Sequence, residues 1–255
     1  MTKSLKVYTE NIVVNDSFFK EIKNRRVVDF SHLMESTLQV SGYHDHALRQ
    51  AFPDQAYIIQ PGQVWVVTQY RISFGQALLQ KEQPLSISTR LTKVNRFMVD
   101  RYFELSQAGR QIMTIDSQFV ALDFQERKMV PLRRDFLTDN DLVDQTISSQ
   151  FYRFKVDEFD QYLGDYEVNI QTDDIDENAH VNNLVYLRWC LKYLPIEENR
   201  QLSRIDVKYS KEILPGHRVM IDLKKTSIDD SPQYLFKIKN MTKNEEACQI
   251  RFCWQ

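Results

Sequence analysis

The second half of the chain has the clearer pattern of hydrophobic and polar positions. Apolar residues alternate with mostly polar ones in four short runs, which is typical of strands with one buried face. The runs are centred on Val207, Ile221, Phe236 and Ile250. This alternation predicts an antiparallel sheet with the other face in water. Before these runs, apolar residues over 181–194 recur at helical spacing around most of the axis, which predicts a largely buried helix.

The first half repeats this order of elements. A strand is predicted at Val7–Val14 and a helix around Phe30–Val40, and four strand-like runs follow at Val64–Ile72, Leu85–Leu91, Met98–Leu105 and Ile112–Phe124. In the second half the corresponding first strand is predicted at Tyr166–Ile170. The repeated order indicates an internal duplication, in which each half is one antiparallel sheet curled around one helix.

A polar stretch around residues 131–150 separates the halves and lacks periodic apolar structure at its start. We therefore expect an N-terminal domain over residues 1–135, a linker over 136–160 and a C-terminal domain over 161–255.

Composition narrows the class of protein. The 255 residues are 42% apolar and 27% charged, as in ordinary globular proteins, and no apolar run is long enough for a membrane span. The N-terminus lacks the apolar core of a signal peptide, so a cytoplasmic protein is expected. The formal net charge of −2 provides no field for nucleic acid, and we expect no nucleic-acid partner.

The sequence predicts no cofactor and no metal site. Cys190, Cys248 and Cys253 have no metal-ligand spacing and are expected to be core residues. No glycine-rich phosphate loop is present. His44 and His46 flank Asp45, but two histidines at this spacing without further ligands favour a solvated loop over a metal site.

Candidate chemistry is concentrated in one stretch, which reads DDIDENAHVNNLVYLRW over residues 173–189. Asp176, Asn178 and His180 alternate just before the predicted helix, and in an extended segment they would point the same way. The first helical N–H groups, near Val181 and Asn182, should be unpaired and partly positive, which would suit a developing oxyanion.

A purely structural interpretation applies to each of these residues taken singly. Asp and Asn before a helix are favoured capping residues, and a lone histidine is commonly a satisfied imidazole. This interpretation does not explain all three together with Glu212, which follows the next predicted strand. Asn183 is expected to serve only the helix surface or its packing.

The segment from Asp174 to Leu187 resembles the signature of acyl-acyl carrier protein (acyl-ACP) thioesterases, approximately Asp-x-Asp-x-Asn-x-His-Val-Asn-Asn-x-x-Tyr. Residues 207–212, VKYSKE, resemble the family's downstream tyrosine-and-glutamate strand end, and residues 85–90 and 101–105 resemble its paired strands more loosely. The resemblance covers essentially the whole chain. It implies an α+β tandem double hot-dog fold, in which the first half shapes the acyl pocket and the second carries the chemistry.

The resemblance places Asp176, Asn178, His180 and Glu212 in the catalytic positions. Either a carboxylate and His180 activate water, with Asn178 and the helix N-terminus holding the carbonyl, or Asp176 attacks directly and forms an anhydride. The sequence leaves both routes open. Some members of the family carry Cys after the glutamate; this chain has Ile213 there, so no thiolate is available.

The implied substrate is a fatty acyl chain on acyl carrier protein, and the product is free fatty acid. Because the carrier is acidic, a basic patch should receive it. Candidates near Glu212 in sequence are Lys208, Lys211, Arg218, Lys224 and Lys225, for which solvated strand charges are the alternative. Candidate acyl-pocket residues, with core packing as the alternative, are Trp65, Phe97, Val99, Phe103 and Met113.

Two other functions remain open at this point. One is hydrolysis of acyl-coenzyme A, and the other is a non-catalytic hot-dog module that binds acyl chains as a sensor. A tandem duplication does internally what single hot-dog proteins do by dimerising, so both a monomer and a homodimer are compatible with the sequence.

Overall fold

The computed structural model describes residues 5–22, 25–155, 159, 161–197 and 200–255. Residues 156–158 and 160, near the end of the expected linker, lie outside these ranges. The chain forms two compact units. One comprises Met1–Thr68 and Phe74–Gln150, and the other comprises Gln69–Ser73 and Phe151–Gln255.

In the first unit a long helix packs against an antiparallel sheet. Its elements are β1 (Tyr8–Val13), β2 (Phe19–Ile22), β3 (Arg25–Val28), α1 (Phe30–Ala51), β4 (Gln63–Phe74), β5 (Pro84–Val94), β6 (Met98–Gln107), β7 (Arg110–Asp123), β8 (Met129–Val130) and α2 (Asp135–Asp139). Strands β1, β5, β6 and β7 are neighbours in that order, and β8 pairs with β7. Helix α1 contacts β1 and β5.

The second unit repeats this plan with a shorter helix. Its elements are β9 (Gln161–Val168), α3 (Asn183–Tyr193), β10 (Leu202–Tyr209), β11 (Val219–Ile228), β12 (Ser231–Asn240) and β13 (Glu245–Trp254). The strand order is β10–β13–β12–β11–β9, and residues 69–73 of β4 pair with β10. Helix α3 contacts β13. A helix packed on an antiparallel sheet in each unit is the tandem hot-dog arrangement that the resemblance implies.

Helix α1 ends at Ala51, well beyond the predicted end near Val40. Val40, His44 and Leu48 follow one another at intervals of four residues, and all three side chains are buried. The buried face of the helix therefore continues through a histidine, and the expectation of a solvated loop over residues 44–46 was wrong.

Residues 136–150 of the expected linker pack with the first unit. Phe136 and Leu137 of α2, with Leu142 and Val143 after it, belong to a buried cluster that also contains Leu48 at the end of α1. Their apolar side chains are too few and too irregularly spaced to signal a core segment in the sequence. Short elements were also missed, namely the β2–β3 hairpin, β8 and α2.

The expectation of one wet sheet face was only partly right. Asp206, on the predicted wet face of β10, is 1% exposed because Arg71, Arg204 and Arg251 form ion pairs with its carboxylate. The Arg251 guanidinium lies 3.3 Å from the centroid of the Tyr152 ring, which covers it. A charged position can thus be buried when its partners come from neighbouring strands. Within the described ranges, no helix is both long and apolar enough to cross a lipid bilayer.

Candidate active site

The stretch before α3 forms a closed turn, and the prediction of an extended segment was wrong. The Asp176 N–H donates to the His180 carbonyl at 2.8 Å, and the Ala179 N–H donates to the Asp176 carbonyl at 3.0 Å. Ala179 takes the left-handed conformation, with φ of 61°. Alternation along a strand therefore does not orient the polar side chains, and the turn itself presents them.

Asp176 holds this turn with its side chain. Its Oδ1 accepts hydrogen bonds from the backbone N–H of Asn178 at 2.9 Å and of His180 at 3.2 Å. A carboxylate oxygen that accepts from two nearby backbone N–H groups stabilises a turn locally. Asn178 is exposed on this turn.

His180 and Glu212 meet across two different parts of the second unit. His180 Nε2 lies 3.1 Å from Glu212 Oε2, and the two side chains are 20% and 43% exposed. The turn before α3 supplies the histidine, and the loop after β10 supplies the glutamate. The predicted approach of Glu212 to the motif is confirmed, and both groups remain accessible to solvent.

The backbone amides expected at the helix start are already paired. The Val181 N–H donates to the Ile213 carbonyl at 2.9 Å, and the Asn182 N–H donates to the Asp174 carbonyl at 2.9 Å. The expectation of unpaired amides at these residues was wrong. The Asn182 bond belongs to an isolated β-bridge between Ile175 and Val181, and the Val181 bond reaches the loop after β10. Asn182 is the capping residue, and its Oδ1 accepts from the Leu184 N–H at 2.9 Å.

Two further contacts hold the motif against its surroundings. The sequence interpretation had assigned no role to the residues that make them. Asp174, 2% exposed, forms an ion pair with Arg188 of α3, and its other carboxylate oxygen accepts from the Gln171 N–H at 2.9 Å. Tyr186, the last residue of the signature, accepts a hydrogen bond from the Ile213 N–H at 3.2 Å. Burial raises the pKa of the Tyr186 hydroxyl, so it stays protonated. Asn183 is exposed, as expected.

The five basic candidates lie on β10, on β11 and in the loop between them. Lys208 and Lys211 are exposed, and Lys211 immediately precedes Glu212. Arg218 forms an ion pair with Glu167 at 3.5 Å, and Lys225 forms one with Glu197 at 3.2 Å. Lys224 lies on β11, which β13 and β12 separate from β10.

The five candidate acyl-pocket residues differ in how deeply they are buried. Val99, Phe103 and Met113 are buried core residues, whereas Trp65 and Phe97 are partly buried. Surface cavities of about 300 Å³ and about 270 Å³ lie in the first unit, and no motif residue lines either one.

The three cysteines and His44 have the environments of packing residues and not of catalytic ones. Cys190, Cys248 and Cys253 are free and buried, and burial raises the pKa of each thiol. Both ring nitrogens of His44 contact protein groups, the Leu5 carbonyl at 2.8 Å and Arg101 at 3.1 Å. Among the described residues, no group of three His, Cys, Asp or Glu side chains could hold a metal ion.

Comparison with known protein families identifies the family to which this chain belongs. The model of the acyl-ACP thioesterase N-terminal domain matches residues 6–139, and that of the C-terminal domain matches residues 160–255. The chain belongs to the acyl-ACP thioesterase family. This family releases fatty acids from acyl-ACP, and the C-terminal match contains the whole turn, α3 and the Glu212 loop.

Solved structures of thioesterases share the fold. A candidate oleoyl thioesterase from Lactobacillus plantarum is 22% identical, with a TM-score of 0.75 over 98% of this chain and 96% of that one. An acyl-ACP thioesterase from Bacteroides thetaiotaomicron is 19% identical, with a TM-score of 0.75 over 100% of both chains. A 12:0-ACP thioesterase from Umbellularia californica is 14% identical, with a TM-score of 0.73 over 98% and 94%. Comparison with curated protein sequences finds no match.

Proposed function

We propose that this chain hydrolyses the thioester of fatty acyl-ACP and releases free fatty acid, with His180 and Glu212 as the catalytic pair. The observation that supports this most directly is the 3.1 Å contact between His180 Nε2 and Glu212 Oε2 within the matched C-terminal domain. A histidine held by a carboxylate is a common arrangement for general-base catalysis.

In the proposed reaction, Glu212 accepts the Nε2–H of neutral His180, which leaves Nδ1 as the base. Nδ1 takes a proton from a water molecule as the water oxygen attacks the thioester carbonyl carbon. Glu212 stabilises the imidazolium that forms, since the carboxylate already contacts Nε2. When the carbon–sulfur bond breaks, the imidazolium returns its proton to the departing thiolate of the carrier.

Asn178 is the proposed donor to the substrate carbonyl. Its side chain is exposed on the turn that presents His180, and its amide could donate to the oxygen on which negative charge develops. The amides of Val181 and Asn182 are not proposed for this role, because both donate to backbone carbonyls.

Asp176 is proposed to position the turn and not to attack the substrate. Its Oδ1 is engaged by the two N–H groups that carry Asn178 and His180 into place. Asp176→Asn keeps an oxygen that can accept both bonds, so we expect activity to stay within about tenfold of wild type. Direct attack by Asp176 predicts loss of turnover in this variant, and in ¹⁸O-water it allows label to appear on Asp176 during a single turnover.

The test of the function is hydrolysis of acyl-ACP thioesters of several chain lengths beside the matching coenzyme A esters. Faster release from the carrier protein supports the proposal and identifies the preferred chain length. Release from coenzyme A esters alone would indicate an acyl-coenzyme A thioesterase. Binding of acyl chains without release from either ester would indicate a sensor. The oligomeric state, the cytoplasmic location and the absence of a nucleic-acid partner stay predictions.

A further inference from the structure

We propose that Tyr186 is a positioning residue that holds Glu212 in register with His180. The inference rests on the proposed function, because it assigns a role through the catalytic pair. Tyr186 lies on α3, is 1% exposed, and accepts the Ile213 N–H at 3.2 Å. That N–H belongs to the peptide unit that joins Glu212 to Ile213.

Backbone contacts connect the neighbours of the two catalytic residues. Val181 directly follows His180, and Ile213 directly follows Glu212. The Val181 N–H donates to the Ile213 carbonyl at 2.9 Å, so the backbone beside the histidine is tied to the backbone beside the glutamate. The Tyr186 hydroxyl accepts the Ile213 N–H, so both the N–H and the carbonyl of Ile213 are hydrogen-bonded.

Ile213 is the point at which the Glu212 loop is anchored. Between residues 210 and 216 it alone is buried, and it is 0% exposed. The loop begins with the Ser210 and Lys211 N–H groups donating to the Ala247 carbonyl, at 2.8 and 3.2 Å. Beyond that start, the Ile213 peptide is a fixed point directly beside Glu212, so how firmly it is held affects the position of the exposed Glu212 side chain.

Tyr209 provides a matched control within the same unit. It packs edge-on against Tyr186 with ring centroids 5.8 Å apart, and its hydroxyl donates to the Asn183 carbonyl at 2.8 Å. Tyr209→Phe removes a hydroxyl from the same aromatic cluster without removing a contact to Ile213. Tyr186→Phe removes the acceptor of the Ile213 N–H and leaves the ring in place.

The first measurement is steady-state hydrolysis of acyl-ACP by wild type, Tyr186→Phe, Tyr209→Phe and Glu212→Gln. We expect kcat of Tyr186→Phe to fall about tenfold with KM within about twofold, because a small displacement of a catalytic group lowers the rate more than it weakens binding. Tyr209→Phe should keep the wild-type kcat. The double variant Tyr186→Phe/Glu212→Gln should be no slower than Glu212→Gln, because Tyr186 acts through Glu212.

Equal losses in the two Tyr→Phe variants, or additive losses in the double variant, would overturn the inference in favour of general packing. An unchanged kcat in Tyr186→Phe beside a lost rate in Glu212→Gln would overturn it while leaving the proposed function intact. A wild-type rate in Glu212→Gln would instead remove the role proposed for Glu212 itself.

Amide hydrogen exchange tests the anchor independently of any activity. The Ile213 amide should exchange at least about tenfold faster in Tyr186→Phe than in wild type or Tyr209→Phe, because it loses its acceptor. Equal protection of this amide in all three proteins would contradict the anchoring role, even in the absence of measurable hydrolysis.

Discussion

Both hot-dog units contain a histidine beside charged groups, but the two environments differ in access and in the charge of the partner. His44 in the first unit is 0% exposed and contacts the Leu5 carbonyl and Arg101. Burial and then the Arg101 charge lower its pKa to about 4, so it is neutral at pH 7. His180 in the second unit is partly exposed and faces Glu212.

The difference indicates how one fold can use the same residue for packing in one unit and for chemistry in the other. His44 has both ring nitrogens engaged by protein groups, and no position remains for a substrate or a water molecule. His180 has a carboxylate on one nitrogen and access to solvent. A catalytic base needs such access, and a core residue needs complete hydrogen bonding.

The largest expected effect comes from replacing each of the two histidines in turn. His180→Ala should lower the rate of fatty acid release by about 10²–10⁴-fold, the usual contribution of general-base catalysis. Its unfolding free energy should change little, since the side chain is partly exposed. His44→Ala should lower the unfolding free energy and leave kcat of the folded protein unchanged. Urea unfolding and acyl-ACP hydrolysis measure the two effects, and a catalytic loss in His44→Ala would break the comparison.

The next largest effect concerns the ion pair between Asp45 and Arg101, the arginine that contacts His44. Asp45 contacts Arg101, whose side chain is only 6% exposed, so Asp45→Ala would leave a buried guanidinium without its carboxylate. We expect a loss of about 3–5 kcal/mol in the free energy of unfolding, measured in urea. Glu126→Ala breaks an exposed ion pair with Lys128 and is the control. Similar losses in the two variants would show that burial does not distinguish the pairs.

A pH effect should follow from the depressed pKa of His44. The unfolded chain binds a proton near pH 6.5, whereas folded His44 resists protonation until about pH 4, so falling pH favours the unfolded state between these values. The contribution amounts to about 3 kcal/mol lost between pH 7 and pH 4. His44→Gln should lack this component. We would measure the difference between wild type and variant in urea unfolding at each pH, and a difference that does not change with pH would contradict the buried, neutral histidine.

The smallest effect concerns Lys208 and Lys211, the two exposed candidates for carrier binding on β10 and in the loop after it. Neutralising the exposed Lys208 and Lys211 with glutamine should raise KM for acyl-ACP about threefold to tenfold at low salt and leave kcat unchanged, because surface charges mainly steer association. Lys225→Gln is the control, since this lysine is paired with Glu197. A larger rise in KM for the control than for the double variant would indicate that the carrier protein binds at another surface.

The sequence predicted the regular elements well where a simple period carries the information. Alternation located most of the long strands, and helical spacing located α3 to within about two residues. Helix α1 was cut short because a buried histidine reads as polar. The burial of Asp206 could not be predicted from the sequence, because its partners Arg71 and Arg251 are distant in sequence and contact it only across neighbouring strands.

The sequence indicated which residues to consider as a candidate site, but not the geometry in which the structure holds them. Alternate spacing of Asp176, Asn178 and His180 fits an extended segment and a tight turn equally well, and an alanine at 179 gives no signal of a left-handed backbone. Pairing of the Val181 amide with Ile213 likewise depends on a loop far along the chain. Tyr186 was visible as the last residue of the signature, but its contact with Ile213 required the fold.

The most direct test of the central claim is single-turnover release of labelled fatty acid from acyl-ACP, measured together with substrate binding. We predict that His180→Ala and Glu212→Gln bind acyl-ACP with Kd near that of wild type and release fatty acid at least about a hundredfold more slowly. Release at the wild-type rate by either variant would contradict the assignment of this pair as the catalytic centre.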